Sequence, residues 1–377
     1  MTKSRPLEGL TVFEVGHSIA APYAGLILAD LGARVIKVEN PQGGDYARGW
    51  GPPFWGDSSS VFHSYNRGKE SISVNLSDPE ACAGLRARIL AEGDAVVQNL
   101  RPGALARYGL DPETLGREKP SLIWCDIGAF GPGPLSDKPG YDPLMQAFAG
   151  IMSVTGEGER PPVRVGVSLV DMGAGMWAVI GLLASLVARS QSGGYGGNVS
   201  TSLYETGLSW MTVHLAGYAA SGDIRKPYGS GLAEIVPYQA FATTDGWLMV
   251  AAGNDNLFTK LCQAIGRKDL ASTPDFKTNA GRVAERDRLL SEITQTLRDF
   301  GTAELAAALD DAGVPNAPIQ SVDEVMEHPH TRALGMIEPV EGDQLPLVGL
   351  PLSFDGSRPR TRGPAPSLGQ HNAGETF

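Results

Sequence analysis

Apolar residues over the first 130 positions fall into short clusters separated by polar or glycine-containing segments. Leu10 to Val15 is one such run, Gly16 to Ala21 is a small-residue loop, and the stretch to Leu31 is apolar with Pro22 near its start. Proline is tolerated at the start of a helix, and Gly32 is a natural cap at the end of one. Arg34 to Glu39 reads as a second strand. Strand, helix and strand in this order predict a parallel pair joined by a right-handed crossover. The pattern repeats with strands over Ser71 to Leu76, Ala95 to Asn99 and Leu122 to Ile127, and a helix over Asp78 to Glu92 that opens on Asp-Pro-Glu. The N-terminal half is therefore expected to be α/β, Rossmann-like and doubly wound.

Further along, Met172 to Ala188 is the most apolar stretch, with Gly173, Gly175 and Gly181 inside it. It is marginal in length for a bilayer and reads as a helix inside a large core. Ser192-Gly-Gly-Tyr-Gly-Gly then leads into an expected edge strand over Val199 to Leu203, and a helix follows near Tyr204 to Ala220. Tyr238 to Thr243 and Trp247 to Ala251, around Asp245-Gly246, predict a hairpin. Amphipathic stretches near Asn256 to Ile265, Arg282 to Thr296 and Thr302 to Ala312 complete a smaller α+β domain. The tail, from about Glu338, is rich in proline and glycine and is expected to pack on another surface. The predicted boundaries are 1–190 for the N-terminal part of a large α/β domain and 191–231 for a linker and connecting helix. The small domain follows at 232–325, and 326–377 returns to the large one.

Composition narrows the function. The 377 residues carry 31 basic and 42 acidic side chains, a formal charge of −11, which argues against a nucleic-acid-coating surface. An anionic ligand would need a local basic pocket. Cys82, Cys125 and Cys262 are few, odd in number and widely spaced, so a reducing, cytoplasmic setting and no metal site are expected. The first residues hold no apolar core, so neither a secretory signal nor a membrane role is expected.

Three features could carry chemistry. The first loop has one glycine, Gly16, and lacks the GxGxxG fingerprint of dinucleotide sites. It can still offer backbone amides to a phosphate, or serve only as a tight turn. Basic residues cluster in loops at Arg48, Arg67, Lys69, Arg101, Arg107 and Lys138, which suit a phosphorylated ligand or a solvated surface equally. Asp171 follows an apolar run and immediately precedes the apolar helix. It can be an N-cap, or a carboxylate held ionised by the helix end and able to attack an acyl carbonyl, and the two roles are compatible. Among the histidines, His17 lies in the first loop, and none forms a hydrolase motif; GxSxG is absent.

Taken together these segments resemble the family III CoA-transferases, which include formyl-CoA and carnitine CoA-transferases. The resemblance rests on Leu7-Glu-Gly-Leu-Thr-Val-Phe-Glu, Leu31-Gly-Ala-Arg-Val-Ile-Lys-Val-Glu, Asn66-Arg-Gly-Lys-Glu-Ser, Asn99-Leu-Arg-Pro-Gly, Gly140-Tyr-Asp, Asp171 and Asp245-Gly-Trp, in this order. It implies a large domain built from both chain ends, an inserted small domain, and a homodimer of two interlocked subunits. Asp171 matches the catalytic aspartate. Coenzyme A, present as an acyl-CoA substrate and not as a permanent cofactor, would meet His17, Ile19 and Ala20 in the first loop. Asn40, Lys69, Val74, Ser77, Asn99, Leu100, Arg101, Arg107 and Lys138 are the other expected CoA contacts. Tyr141 and Gly253 are candidates for the carboxylic acid, with dicarboxylates the first to test. An α-methylacyl-CoA racemase-like isomerase and a non-catalytic acyl-CoA-binding protein are the alternatives. Racemases place a histidine where this chain has Tyr141, and a phenol is a poor base at neutral pH, which favours transfer.

Overall fold

The computed structural model describes residues 5–359 and 362–372. The chain divides into two compact units. The first takes the chain up to Ile151, Arg164–Ser221 and the chain from Pro329; the second takes Met152–Val163 and Gly222–His328. The division corrects the expected boundaries in two places. A short excursion at 152–163 groups with the second unit, and 191–221, whose strand and connecting helix were expected, groups with the first.

In the first unit, β1 (Thr11–Val15), α1 (Ala20–Asp30), β2 (Arg34–Glu39), α2 (Ser60–Asn66), β3 (Glu70–Ser73), α3 (Pro79–Glu92), β4 (Ala95–Gln98) and β5 (Ile123–Gly128) follow one another. After them come α4 (Asp142–Phe148), α5 (Leu169–Gln191), β6 (Gly197–Ser202), α6 (Leu203–Trp210) and α7 (Thr212–Ser221). All six strands run parallel in the order β3-β2-β1-β4-β5-β6. This is the doubly wound order, whose direction of winding reverses between β1 and β4. Ligands of such sheets sit beyond the strand ends at that reversal.

One face of the sheet packs Phe13, Val15, Ile36, Val38, Ile72 and Val96 against Leu85 and Ile89 of α3. The other face lies against α1, which is buried at every position except Tyr23. Small residues make this possible. A Cβ at Gly175 of α5 would stand 2.7 Å from the Ala20 carbonyl oxygen, so α5 lies directly on the start of α1. The C-terminal segment covers the β3 edge: the Ser71 amide donates to His371 Nδ1 at 3.0 Å, and the Ser73 amide to Asn372 Oδ1 at 2.9 Å. A strand edge satisfied in this way cannot pair with another chain.

The apolar helix is only half a core helix, which corrects the expectation of full burial. Val170, Ala174, Ala178 and Leu182 are buried, while Trp177, Ile180 and Val187 are exposed. They are joined on the outer surface by Trp210, Val213 and Tyr218 of α6 and α7. α5 is long and apolar enough to cross a membrane by length and composition.

In the second unit, β7 (Tyr238–Ala242) and β8 (Trp247–Ala251) form the hairpin, closed by four residues rather than by the two of Asp245-Gly246. Short β9 (Asn316–Pro318) pairs with β8, and α8 (Asp255–Ala264), α9 (Arg286–Leu297) and α10 (Thr302–Ala312) pack on the sheet. At its centre the buried Arg282 guanidinium donates to the carbonyls of Val236 and Phe276 and to Asp255.

Candidate active site

The strand ends at the winding reversal are Val15 of β1 and Gln98 of β4, followed by Gly16–Ser18 and Asn99–Arg101. The two loops are stitched together. Asn99 accepts from the His17 amide at 3.0 Å through Oδ1 and donates to the His17 carbonyl at 2.9 Å through Nδ2. The Ser18 amide donates to Asp45 at 2.9 Å, and Lys37 Nζ donates to the Gly16 carbonyl at 3.0 Å. Ser18 is held at φ 70°, a left-handed conformation unusual for a residue with a side chain. The amides of His17 and Ser18 are thus spent inside the protein, which leaves only the amides at the start of α1 for the phosphate reading of this loop. The loop also presents side chains. The His17 ring meets Tyr46 edge-on at 4.9 Å, and its Nδ1 lies 3.0 Å from Ser18 Oγ. Burial holds the imidazole below its ordinary pKa.

Asp171 comes to the same place from α5. It is the third residue of that helix and not its cap; Ser168 occupies the cap position and makes no capping bond with its side chain. The cap comes from elsewhere. Asp142, buried at the start of α4, accepts from the amides of Val170 at 2.7 Å and Asp171 at 3.2 Å. Gln146, one turn on, donates to Asp142 at 2.6 Å and accepts from the Val165 amide at 2.8 Å, which fixes the segment entering α5. Asp171 is 9% exposed. Burial, and then the Asp142 carboxylate, push its carboxyl up to about 7 from 3.8. The expectation of a carboxylate kept ionised by the helix end is therefore corrected: the amides at that end serve Asp142.

A cavity of about 240 Å³ opens over Asp171, lined by both strand-end loops and by the Lys138–Tyr141 segment. Of the residues expected from the sequence, it brings together Asp171, His17, Ile19, Ala20, Asn99, Leu100, Arg101, Lys138 and Tyr141. A neighbouring cavity of about 330 Å³ shares His17 and Leu100 and adds Asn40, Val74 and Ser77. Four basic residues are elsewhere. Lys69 is buried, and its ammonium is spent on Glu14, Asn66 and the Pro22 carbonyl, so its expected contact with a ligand is corrected. Arg48 and Arg67 are likewise buried, paired with Glu39 and Asp30. Arg107 lies over the Tyr108 ring, 4.6 Å from its centre, and lines neither cavity. Gly253 belongs to the second unit, where the adjacent Asn254 caps α8.

The profile of CoA-transferase family III matches residues 7–372. The chain belongs to CoA-transferase family III. It is 36% identical to a succinate–glutarate CoA-transferase of Agrobacterium fabrum, over 98% of this chain and 94% of that protein. It is 35% identical to an acetyl-CoA:oxalate CoA-transferase of Acetobacter aceti, over 98% and 94%. A CAIB/BAIF family protein from Brucella suis has the same fold, with a TM-score of 0.89 at 36% identity and 98% coverage of both chains. This family III enzyme therefore acts by CoA transfer between a thioester and an acid. Sequence reasoning passed over two residues beside Asp171. Asp142 was visible only as part of Gly140-Tyr-Asp, with nothing to mark it as the cap of a helix 27 residues later. Tyr65 gave no signal at all. Burial, and then the Asp171 carboxylate, hold its phenol above the ordinary value.

Proposed function

We propose that this enzyme moves CoA from an acyl-CoA to a dicarboxylic acid through a covalent intermediate on Asp171. One observation carries the reading: a buried carboxyl, poised near neutrality, faces a cavity at the one point of the sheet where such folds bind ligands. The Asp171 carboxylate attacks the donor thioester, and the C–S bond breaks to give an aspartyl anhydride and CoA thiolate. The thiolate then attacks the aspartyl carbonyl, which releases the donor acid and leaves aspartyl-CoA. The acceptor carboxylate attacks that thioester, CoA leaves again, and its return to the acceptor's acyl carbonyl frees Asp171. Each step exchanges one acyl bond for another, so the covalent route divides the transfer into feasible parts.

Dicarboxylates are supported by the names of the relatives, which act on succinate and glutarate, on oxalate and on mesaconate. Arg101 and Lys138 are the cations at the cavity that suit a second carboxylate or the phosphates of CoA. Asn40, Val74 and Ser77 then hold the nucleotide end. The apolar outer face of α5 to α7 supports a homodimer, in which a second copy covers it. Three free, buried cysteines suit the cytoplasm. The test is direct. Succinyl-CoA is incubated with glutarate, oxalate or mesaconate, and product thioesters are separated by chromatography. Intact mass after incubation with succinyl-CoA alone must show a CoA adduct that maps to Asp171. Transfer without that adduct, or activity surviving Asp171→Ala, refutes the covalent route.

A further inference from the structure

Beneath the Gly16–Ser18 turn lies a cluster that the chemistry above does not use. Lys37 Nζ bonds Glu14 at 2.7 Å and Asp45 at 2.8 Å, and Lys69 Nζ bonds the other oxygen of Glu14 at 2.6 Å. All four side chains are buried, and two carboxylates balance two ammonium groups. Such a cluster is weak evidence for stability, because the desolvation of four charges opposes their attraction. Its contacts upward are specific. Asp45 Oδ1 accepts from the amides of Ser18 and Ala47, each at 2.9 Å, and Lys37 donates to the Gly16 carbonyl at 3.0 Å. Two of these links, Asp45 to the Ser18 amide and Lys37 to the Gly16 carbonyl, run from the buried pair to the turn that carries His17 into the Asp171 cavity.

We propose that Lys37 and Asp45 are positioning residues, which hold the Gly16–Ser18 turn in its strained form and so fix His17 against the reacting thioester. The inference rests on the covalent CoA transfer proposed above. His17 lines both the cavity with Asp171 and the one with Val74 and Ser77, so it stands where the two ends of a CoA thioester meet. A turn free to relax would leave CoA bound and the thioester misplaced, and a displacement of about 1 Å costs up to about a hundredfold in rate.

Two double variants separate position from charge. Lys37→Met with Asp45→Asn removes one charge of each sign and keeps an oxygen that accepts from Ser18. Lys37→Met with Asp45→Ala has the same charge and lacks that oxygen. Each is measured for kcat and KM with succinyl-CoA and glutarate, for the Kd of free CoA by calorimetry, and for its melting curve. The expected result is a kcat about tenfold or more lower for the alanine pair than for the asparagine pair, with CoA affinity unchanged between them. Equal kcat values in an active family of proteins overturn the positioning role. A wild-type enzyme that transfers no CoA overturns the proposed function instead. Should the doubles fail to fold, Ser18→Ala and Ser18→Gly both lack the hydroxyl beside His17, and only glycine frees the turn: glycine must give the lower kcat at equal CoA affinity, and equal kcat values overturn the inference.

Discussion

Asp171→Asn isolates the energetic consequence of burying the proposed nucleophile. In the folded protein this carboxyl titrates at about 7 instead of 3.8. A folded value above the unfolded one means that the native state keeps the proton longer. Its contribution to stability is then full below about pH 4 and is lost as pH rises through 7. About three pH units, at about 1.4 kcal/mol each, give an ionisation cost of about 4 kcal/mol above pH 7. At 9% exposure solvent screening removes little of it. Asparagine has nearly the same volume and no charge to bury. The variant should match the wild type at pH 4.5 and exceed it by about 2–4 kcal/mol at pH 8.5. Urea titrations at fixed protein concentration, followed by tryptophan fluorescence, measure this, because five of the six tryptophans lie in the first unit. A stability difference that does not change between the two pH values refutes the reasoning, and so does a variant weaker than the wild type at pH 8.5.

The same titration should appear in catalysis: kcat/KM for succinyl-CoA is expected to rise between pH 6 and 8 with a midpoint near 7, as Asp171 ionises; a flat profile over that range contradicts it. Asp142→Asn removes the neighbouring negative charge and should move this midpoint to lower pH, whereas Asp142→Ala also uncaps α5 and should cost about 1–2 kcal/mol in urea. Gly25→Ala would put a Cβ 1.9 Å from Glu14 Oε2, beside Lys69, and should destabilise the first unit by at least about 3 kcal/mol, seen as loss of soluble protein or a lowered melt.

The alternation of strand and helix was legible because apolar clusters of strand and helix length announce themselves. β2 fell where Arg-Val-Ile-Lys-Val-Glu placed it, and the Asp-Pro-Glu signal opened α3 at Pro79 with Asp78 as its cap. Of the residues expected from the sequence, Asp171, His17, Asn99 and Tyr141 come together at one cavity because all four lie at ends of elements, where ligands of α/β sheets sit. Buried charge was not legible. Arg48, Arg67 and Lys69 look in the sequence like loop cations facing water, and nothing local reveals that Glu39, Asp30 and Glu14 await them inside. Lys37 and Glu39 alternate with valine and isoleucine as in a half-exposed strand, yet both faces of β2 are covered. Such pairings are fixed by register between strands, as with Glu14 opposite Lys37, and register is a tertiary fact.

Asp142 also explains how a carboxylate at a helix start can be reactive. Amides that bonded Asp171 would hold its pKa low and lower its nucleophilicity, because the same bonds that favour the anion must be loosened when it attacks. Here the first free amides of α5 are occupied by a second carboxylate, that of Asp142. Asp171 is left with burial and a like charge, both of which raise the energy of its anion. The proposed covalent step would relieve them, since an ester-like acyl group carries no charge into the cavity. A binding protein would gain nothing from such a disfavoured anion. An enzyme that forms and breaks a bond to it, as proposed for this one, does, because burial brings its titration up to near neutral pH.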